Sequence, residues 1–195
     1  IVGATYRASV SVWREHTLEN LRVTAQLGAE ILTETLQETV VLERMVAAQP
    51  GFVEAVEQAD APAVTRHLRD ALTFIRRVNL AMVLTPAGDV LAAVPDAHKI
   101  TGTRLTDHKA VQDARRADGQ PYVSGVYLRD GPGIEKVVSI VLPILREQRV
   151  IGFLAVEQRI EQVKSWLQPI RVQPNGFLYV VDQYDQLVVF PFQVV

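Results

Sequence analysis

Apolar and polar positions recur with two different periods along this chain, and the change from one to the other divides it. From about Tyr6 to Ala48 there is no proline and one glycine, Gly28. Leu18, Leu21, Ala25, Ala29, Leu32, Leu36 and Val40 follow one another with gaps of 3, 4, 4, 3, 4 and 4, the spacing of one helix face. Some forty residues rising ~1.5 Å each make a rod of roughly 60 Å. Gln49-Pro50-Gly51 stops it. The stripe is close to heptad but not strictly so, which suits packing on a sheet and pairing with a second copy of the helix. A second helix is predicted from Asp60, a natural N-cap, with Pro62 in the first turn where its missing N–H costs nothing. Its apolar face is Val64, Leu68, Ala71, Leu72 and Ile75.

Beyond Asn79 the period is that of strands. Leu80 to Leu84 and Val90 to Val94 flank the turn Thr85-Pro86-Ala87-Gly88-Asp89 and predict a hairpin ended by Pro95. A loop from Asp96 to Thr106 leads to a short helix, Asp107 to Arg116. Strands are then predicted at 121–128, 135–142 and 149–157, with turns at 129–133 and 146–149. A last helix carries Ile160, Val163 and Leu167 on one face, and Pro169 ends it. This order predicts an α+β fold: a PAS-like five-stranded antiparallel sheet with its helices on one side.

A hairpin pattern then starts again. Phe177 to Asp182 and Leu187 to Phe190 flank Gln183-Tyr184-Asp185-Gln186. Shifting the first hairpin by 97 positions lays Val83 on Val180, Leu84 on Val181, Val90 on Leu187, Leu91 on Val188 and Ala92 on Val189. A shift of that size equals one small sheet domain. The expected organisation is a stalk helix over 1–50, a module over 51–168, and a linker with the first hairpin of a second, truncated module over 169–195. The chain begins and ends abruptly on apolar residues, so both ends read as cuts.

Composition removes function classes. A net charge of −2 over 195 residues gives no basic face for nucleic acid. The absence of cysteine removes disulfides, thiolate metal sites and thiol catalysis together. No apolar run approaches the ~18–20 residues a bilayer needs. His16, His67, His98 and His108 lie far apart in sequence, with no metal-binding pair. Ser124-Gly125 lacks the preceding glycine of a nucleophile elbow. No enzyme, metal or cofactor is expected.

The motifs from 80 to 191, in their order, resemble those of the double Cache sensor family of prokaryotic transmembrane receptors. Those motifs are Val83-Leu84 through Gly88-Asp89-Val90-Leu91-Ala92, Gly102 to Asp107, Pro121 to Tyr127, Val138 to Ile144, Gly152 to Val156, and Gly176 to Asp182 with Val189-Phe190-Pro191. The resemblance implies a periplasmic or extracellular segment held between two membrane helices, with a histidine kinase, chemotaxis or cyclic-di-GMP output domain beyond. It implies a small-molecule ligand in the membrane-distal module and a homodimer through the N-terminal helix.

Where amino-acid-binding members of that family carry Arg-x-Trp-Tyr, this chain has His108-Lys109-Ala110-Val111. Tyr127 matches the family's strand tyrosine, Glu157 stands where a ligand-pairing aspartate is found, and Arg129 replaces a frequent acid. Two readings of these ligand-binding candidates stay open. His108, Lys109 and Arg129 supply donors to an anionic ligand with Glu157 orienting one of them. Alternatively, His108 and Lys109 are exposed helix residues and Glu157 pairs with Arg159 or Arg129. A dimerisation or partner-protein module without a small ligand is the competing function.

Overall fold

The computed structural model describes residues 2–75, 78–95, 102, 109–117, 119–129, 135–170, 172 and 178–189. Its helices are α1 (Val2–Ala47), α2 (Pro50–Glu57), α3 (Ala61–Phe74), α4 (Lys109–Arg116) and α5 (Ile160–Leu167). Its strands are β1 (Leu80–Leu84), β2 (Val90–Val94), β3 (Tyr122–Val123), β4 (Tyr127–Arg129), β5 (Glu135–Arg146), β6 (Arg149–Arg159), β7 (Val180–Val181) and β8 (Leu187–Val189). Asp60 does cap α3, its carboxylate accepting the Ala63 N–H at 3.0 Å.

The main sheet is antiparallel and runs β2-β1-β6-β5, with β3 and β4 placed end to end along the far edge of β5. The single strand expected at 121–128 is therefore two. Ser124 causes the break: its hydroxyl accepts the Ser139 N–H at 2.9 Å, where a regular ladder would offer a carbonyl. Gly125 and Val126 then swing away before β4 resumes pairing at Tyr127↔Val137. Strands β5 and β6 join through Glu147 and Gln148, both with positive φ (48° and 67°), which lets two residues close the turn.

Helices lie on both faces of this sheet, not on one. Phe52, Val56, Val64 and Leu68 of α2 and α3 pack on Ala81, Val83, Ala92, Leu142, Ile144, Leu154 and Val156. On the opposite face Ala110, Val111 and Ala114 of α4 pack on Met82, Leu84, Val90, Val141, Phe153 and Ala155. Continuous burial along β1, β5 and β6 is the sequence mark of a sheet covered twice. Gly152 allows the first cover to close: a Cβ there would stand 2.7 Å from the Leu84 carbonyl oxygen and 3.2 Å from Val56.

The second hairpin repeats the first in detail. Leu84↔Val90 and Val83↔Ala92 become Val181↔Leu187 and Val180↔Val189, each 97 residues on, with the same irregularity between the paired positions. The turn bonds also repeat. Thr85 N–H donates to Asp89 O at 2.8 Å and Asp182 N–H to Gln186 O at 3.0 Å. Thr85 Oγ1 accepts from Asp89 N–H at 3.1 Å, and Asp182 Oδ1 from Gln186 N–H at 3.0 Å.

Helix α1 follows its expected stripe only in the second half, where Leu32, Leu36 and Val40 are half-buried. Leu18 and Leu21 remain exposed, as do Ala25 and Ala29. The buried row starts at Gly28 and passes through the half-buried Leu32 and Thr35 to Thr39, Glu43 and Val46. Apolar periodicity missed it because polar residues occupy the seam. Gln158 Nε2 donates to Thr39 Oγ1 at 3.3 Å, while Glu43 is fully buried and both its carboxylate oxygens lack a partner among the described residues. Burial pushes the Glu43 carboxyl well above the usual carboxylate range.

This has a pH signature. In acid, native and unfolded chains both carry the proton and its burial adds no pH-dependent cost. As pH rises past the ordinary value of 4.5, the unfolded chain alone ionises, and stability falls until the raised native value is passed. Glu43→Gln keeps the shape and cannot ionise. We expect it to stabilise the chain at neutral pH, with the gain fading as pH falls below ~4.5, as read by urea denaturation across pH.

Candidate functional site

The sheet face under α4 carries the candidate residues. Phe153 and Ala155 of β6 pack under α4, and strand alternation puts Glu157 on the same face. On β5 the same rule follows Val141 to Ser139 and Val137, and Tyr127 lies directly across from Val137. Arg129 lies across from Glu135. Tyr127, Arg129, Glu135, Ser139 and Glu157 thus share one face, next to the apolar patch that α4 covers.

Glu157 is the centre of this group. It is 3% exposed, opposite Leu80 on one side and Ser139 on the other. Tyr127 Oη donates to its Oε1 at 2.8 Å, and an Arg129 guanidinium nitrogen donates to its Oε2 at 3.1 Å. The other terminal nitrogen of Arg129 bonds Glu135, which also pairs with Arg159 at 2.9 Å. Two carboxylates and two guanidiniums form one chain of charge that starts buried at Glu157 and opens to solvent at Arg159.

Burial first, then the Glu157 charge and hydrogen bond, drive the Tyr127 hydroxyl well above the usual phenol range. A Ser139 hydrogen bond and the Arg129 charge oppose this only in part. Tyr127 therefore stays a donor at any physiological pH. The pairing of Glu157 with Arg129 that the residues left open is present, and Arg159 instead meets Glu135. An incoming cationic group would compete with Arg129 for Glu157. An incoming anion would have to share Arg129 with two acids.

The remaining candidates divide. Lys109 opens α4, with its side chain outside the described residues, and His108 lies outside them altogether. Ala110 and Val111 are buried against the strands, so these two positions are core. Glu135 escaped the reading of candidate residues. Strand register sets it opposite Arg129. Among the described residues no group of three or more His, Asp or Glu is arranged for a metal, and no helix is long and apolar enough to cross a membrane.

Several solved sensor domains have this architecture. The ligand-binding domain of the Pseudomonas fluorescens chemoreceptor CtaA, complexed with L-isoleucine, superposes with a TM-score of 0.74 at 17% identity, over 94% of this chain and 72% of that one. This chain shares the fold of that ligand-binding domain. The ligand-binding domain of Pseudomonas aeruginosa PctB with L-Arg gives 0.70 at 15% identity, over 90% of this chain and 71% of that one. The Escherichia coli DcuS sensor domain gives 0.58 at 13% identity, over 71% of this chain and 98% of that one. These neighbours are ligand-binding sensor domains, not enzymes. No family model and no curated protein matches the sequence.

The buried acid yields a double-mutant test. Arg129→Ala strands Glu157 without its cation and should cost about 2–3 kcal/mol, somewhat less than a fully buried pair because Arg129 is partly exposed. Adding Glu157→Gln should recover more than half of that loss, measured by equilibrium unfolding. Additive losses would show that the two side chains do not interact.

Proposed function

We propose that this chain is the extracytoplasmic ligand-sensing region of a transmembrane signalling receptor, binding a small molecule on the α4 face of its main sheet. One observation carries the reading: a carboxylate, Glu157, sits buried on that face and is held by Tyr127 and Arg129. A binding site of this kind combines an apolar floor with a few convergent polar groups. The solved neighbours of the same fold carry L-isoleucine and L-Arg in complex, which favours small polar ligands here. Lys109, which opens α4, and His108, which precedes it in sequence, complete the proposed set, with Arg129 as the donor that an anionic group would recruit.

The module boundaries follow the same reading. Residues 51–168 form the membrane-distal module, α1 is the stalk leading to it, and 169–195 open the membrane-proximal module. The duplicated hairpin register supports the last assignment. In the gene, an apolar run of about twenty residues should precede Ile1, with another following the second module. Ligand preference for one arrangement of sheet and helix would shift the receptor between signalling states.

A thermal-shift screen of amino acids, other carboxylates, amines, purines and sugars tests this directly. A ligand present at 100 times its Kd stabilises the native state by about 2.7 kcal/mol. The shift from a hit should vanish in Glu157→Ala and shrink in His108→Ala. If both variants keep the full shift, the site is misplaced. If no compound in any class shifts the midpoint, the sensing reading fails.

A second reading, self-association, is favoured by α1. Trp13, Leu18, Leu21, Val23 and Leu27 lie exposed along its first half, with Trp13 at 73%. A copy of the same helix is a natural cover for exposed apolar side chains of this kind. Leu18→Glu with Leu21→Glu should leave a monomer by light scattering where the parent chain is a dimer.

A further inference from the structure

The turn of the second hairpin is docked, and the residues that receive it lead back to α4. Asp182 does two tasks with one carboxylate. Its Oδ1 accepts the Tyr184 and Gln186 N–H groups at 2.9 and 3.0 Å, which shapes the turn. Its Oδ2 accepts the Val126 N–H at 3.0 Å, at the break between β3 and β4. Gln183 Nε2 adds a bond to the Val123 carbonyl at 3.4 Å. Gly125 makes the approach possible, since a Cβ there would stand 2.7 Å from Asp182 Oδ2 and 2.8 Å from the Tyr184 ring.

Tyr184 carries the contact on to α4. Its hydroxyl lies 3.2 Å from that of Tyr122 and 3.5 Å from Asp113 Oδ2. Tyr122 Oη donates to the same Asp113 oxygen at 2.9 Å. Asp113 is on α4. Two positions further along the helix, Arg115 donates to the Pro86 carbonyl, in the turn of the first hairpin, at 2.5 Å. Helix α4 therefore grips the turns of both hairpins, residues 85–89 and 182–186, from the side opposite α1.

We propose that Asp113, Tyr122 and Gly125 form a seat for the 182–186 turn, and that α4 and the second hairpin move as a coupled pair. A displacement of α4 opens the seat, and a displacement of the turn loosens α4. Such coupling is reciprocal by thermodynamic necessity. Its use in carrying a ligand signal toward a second module rests on the sensing reading above, but the coupling itself does not.

Hydrogen exchange of the intact chain, without ligand, tests it. Gly125→Ala wedges the turn outward and touches no residue of α4. The amides of 111–116 should then exchange roughly five- to tenfold faster, the loss of one or two ordinary hydrogen bonds, while those of β5 and β6 keep the parent rate. If only the Val126 and Gln186 amides accelerate, the turn and helix are independent and the proposal is overturned. Should Gly125→Ala loosen the whole sheet, Tyr184→Phe decides, because it removes one hydroxyl and keeps the ring. There, a rise in α4 exchange of about threefold over an unchanged sheet supports the coupling, and an unchanged α4 refutes it. Asp113→Ala read at the Tyr184 and Gln186 amides gives the reciprocal result: acceleration is expected, and its absence refutes the seat.

Discussion

The rest of the molecule depends on the pairing of β5 with β6. These are the longest described strands, and their central residues are buried on both faces. A pair buried twice needs two covers, and the chain supplies both from helices that precede β5. Helices α2 and α3, ahead of β1, close one face, and α4, between β2 and β3, closes the other. The first cover is apolar and wide. The second is short among the described residues. Beside the aliphatic patch it covers, the same sheet face holds Tyr127, Arg129 and Glu157.

Much of this was legible because it rests on local chemistry. Asp60 followed by Pro62 marks a helix start in any context. The hairpin from Leu80 to Val94 was readable from its alternation and its Gly88-Asp89 turn, and the same signs found its copy at 180–189. What stayed hidden rests on partners distant in sequence. Helix α2 follows α1 almost without a gap, so Gln49-Pro50-Gly51 reads as an end and conceals a beginning. The interruption at Ser124 comes from a hydroxyl satisfying an N–H fifteen residues away. The exposed leucines of α1 formed the better-looking stripe, while its actual seam includes Thr35, Thr39 and Glu43.

At the candidate site, the residues on strands were easier to read than their roles. Tyr127, Arg129 and Glu157 come together because strand register puts them on one face. Their pairing could not be read from spacing, because Arg129 has acids both across its own hairpin and on the far side of β5. Register places both within its reach, and the guanidinium bonds each. The result is a site whose charges are already balanced, so what it accepts depends on exchange, not on an empty charge waiting for a partner.

The polar row along α1 limits how that helix can travel. An aliphatic seam is forgiving of small slips, since one methyl group replaces another. Here Gln158 holds the Thr39 hydroxyl, whose own proton goes to the Thr35 carbonyl. Four residues away on either side, about 6 Å along the axis, stand Thr35 and Glu43, each also carrying a side-chain oxygen. Intermediate settings leave the Gln158 amide facing hydrocarbon. A polar seam of this kind therefore resists small axial slips of α1 that an aliphatic seam would tolerate.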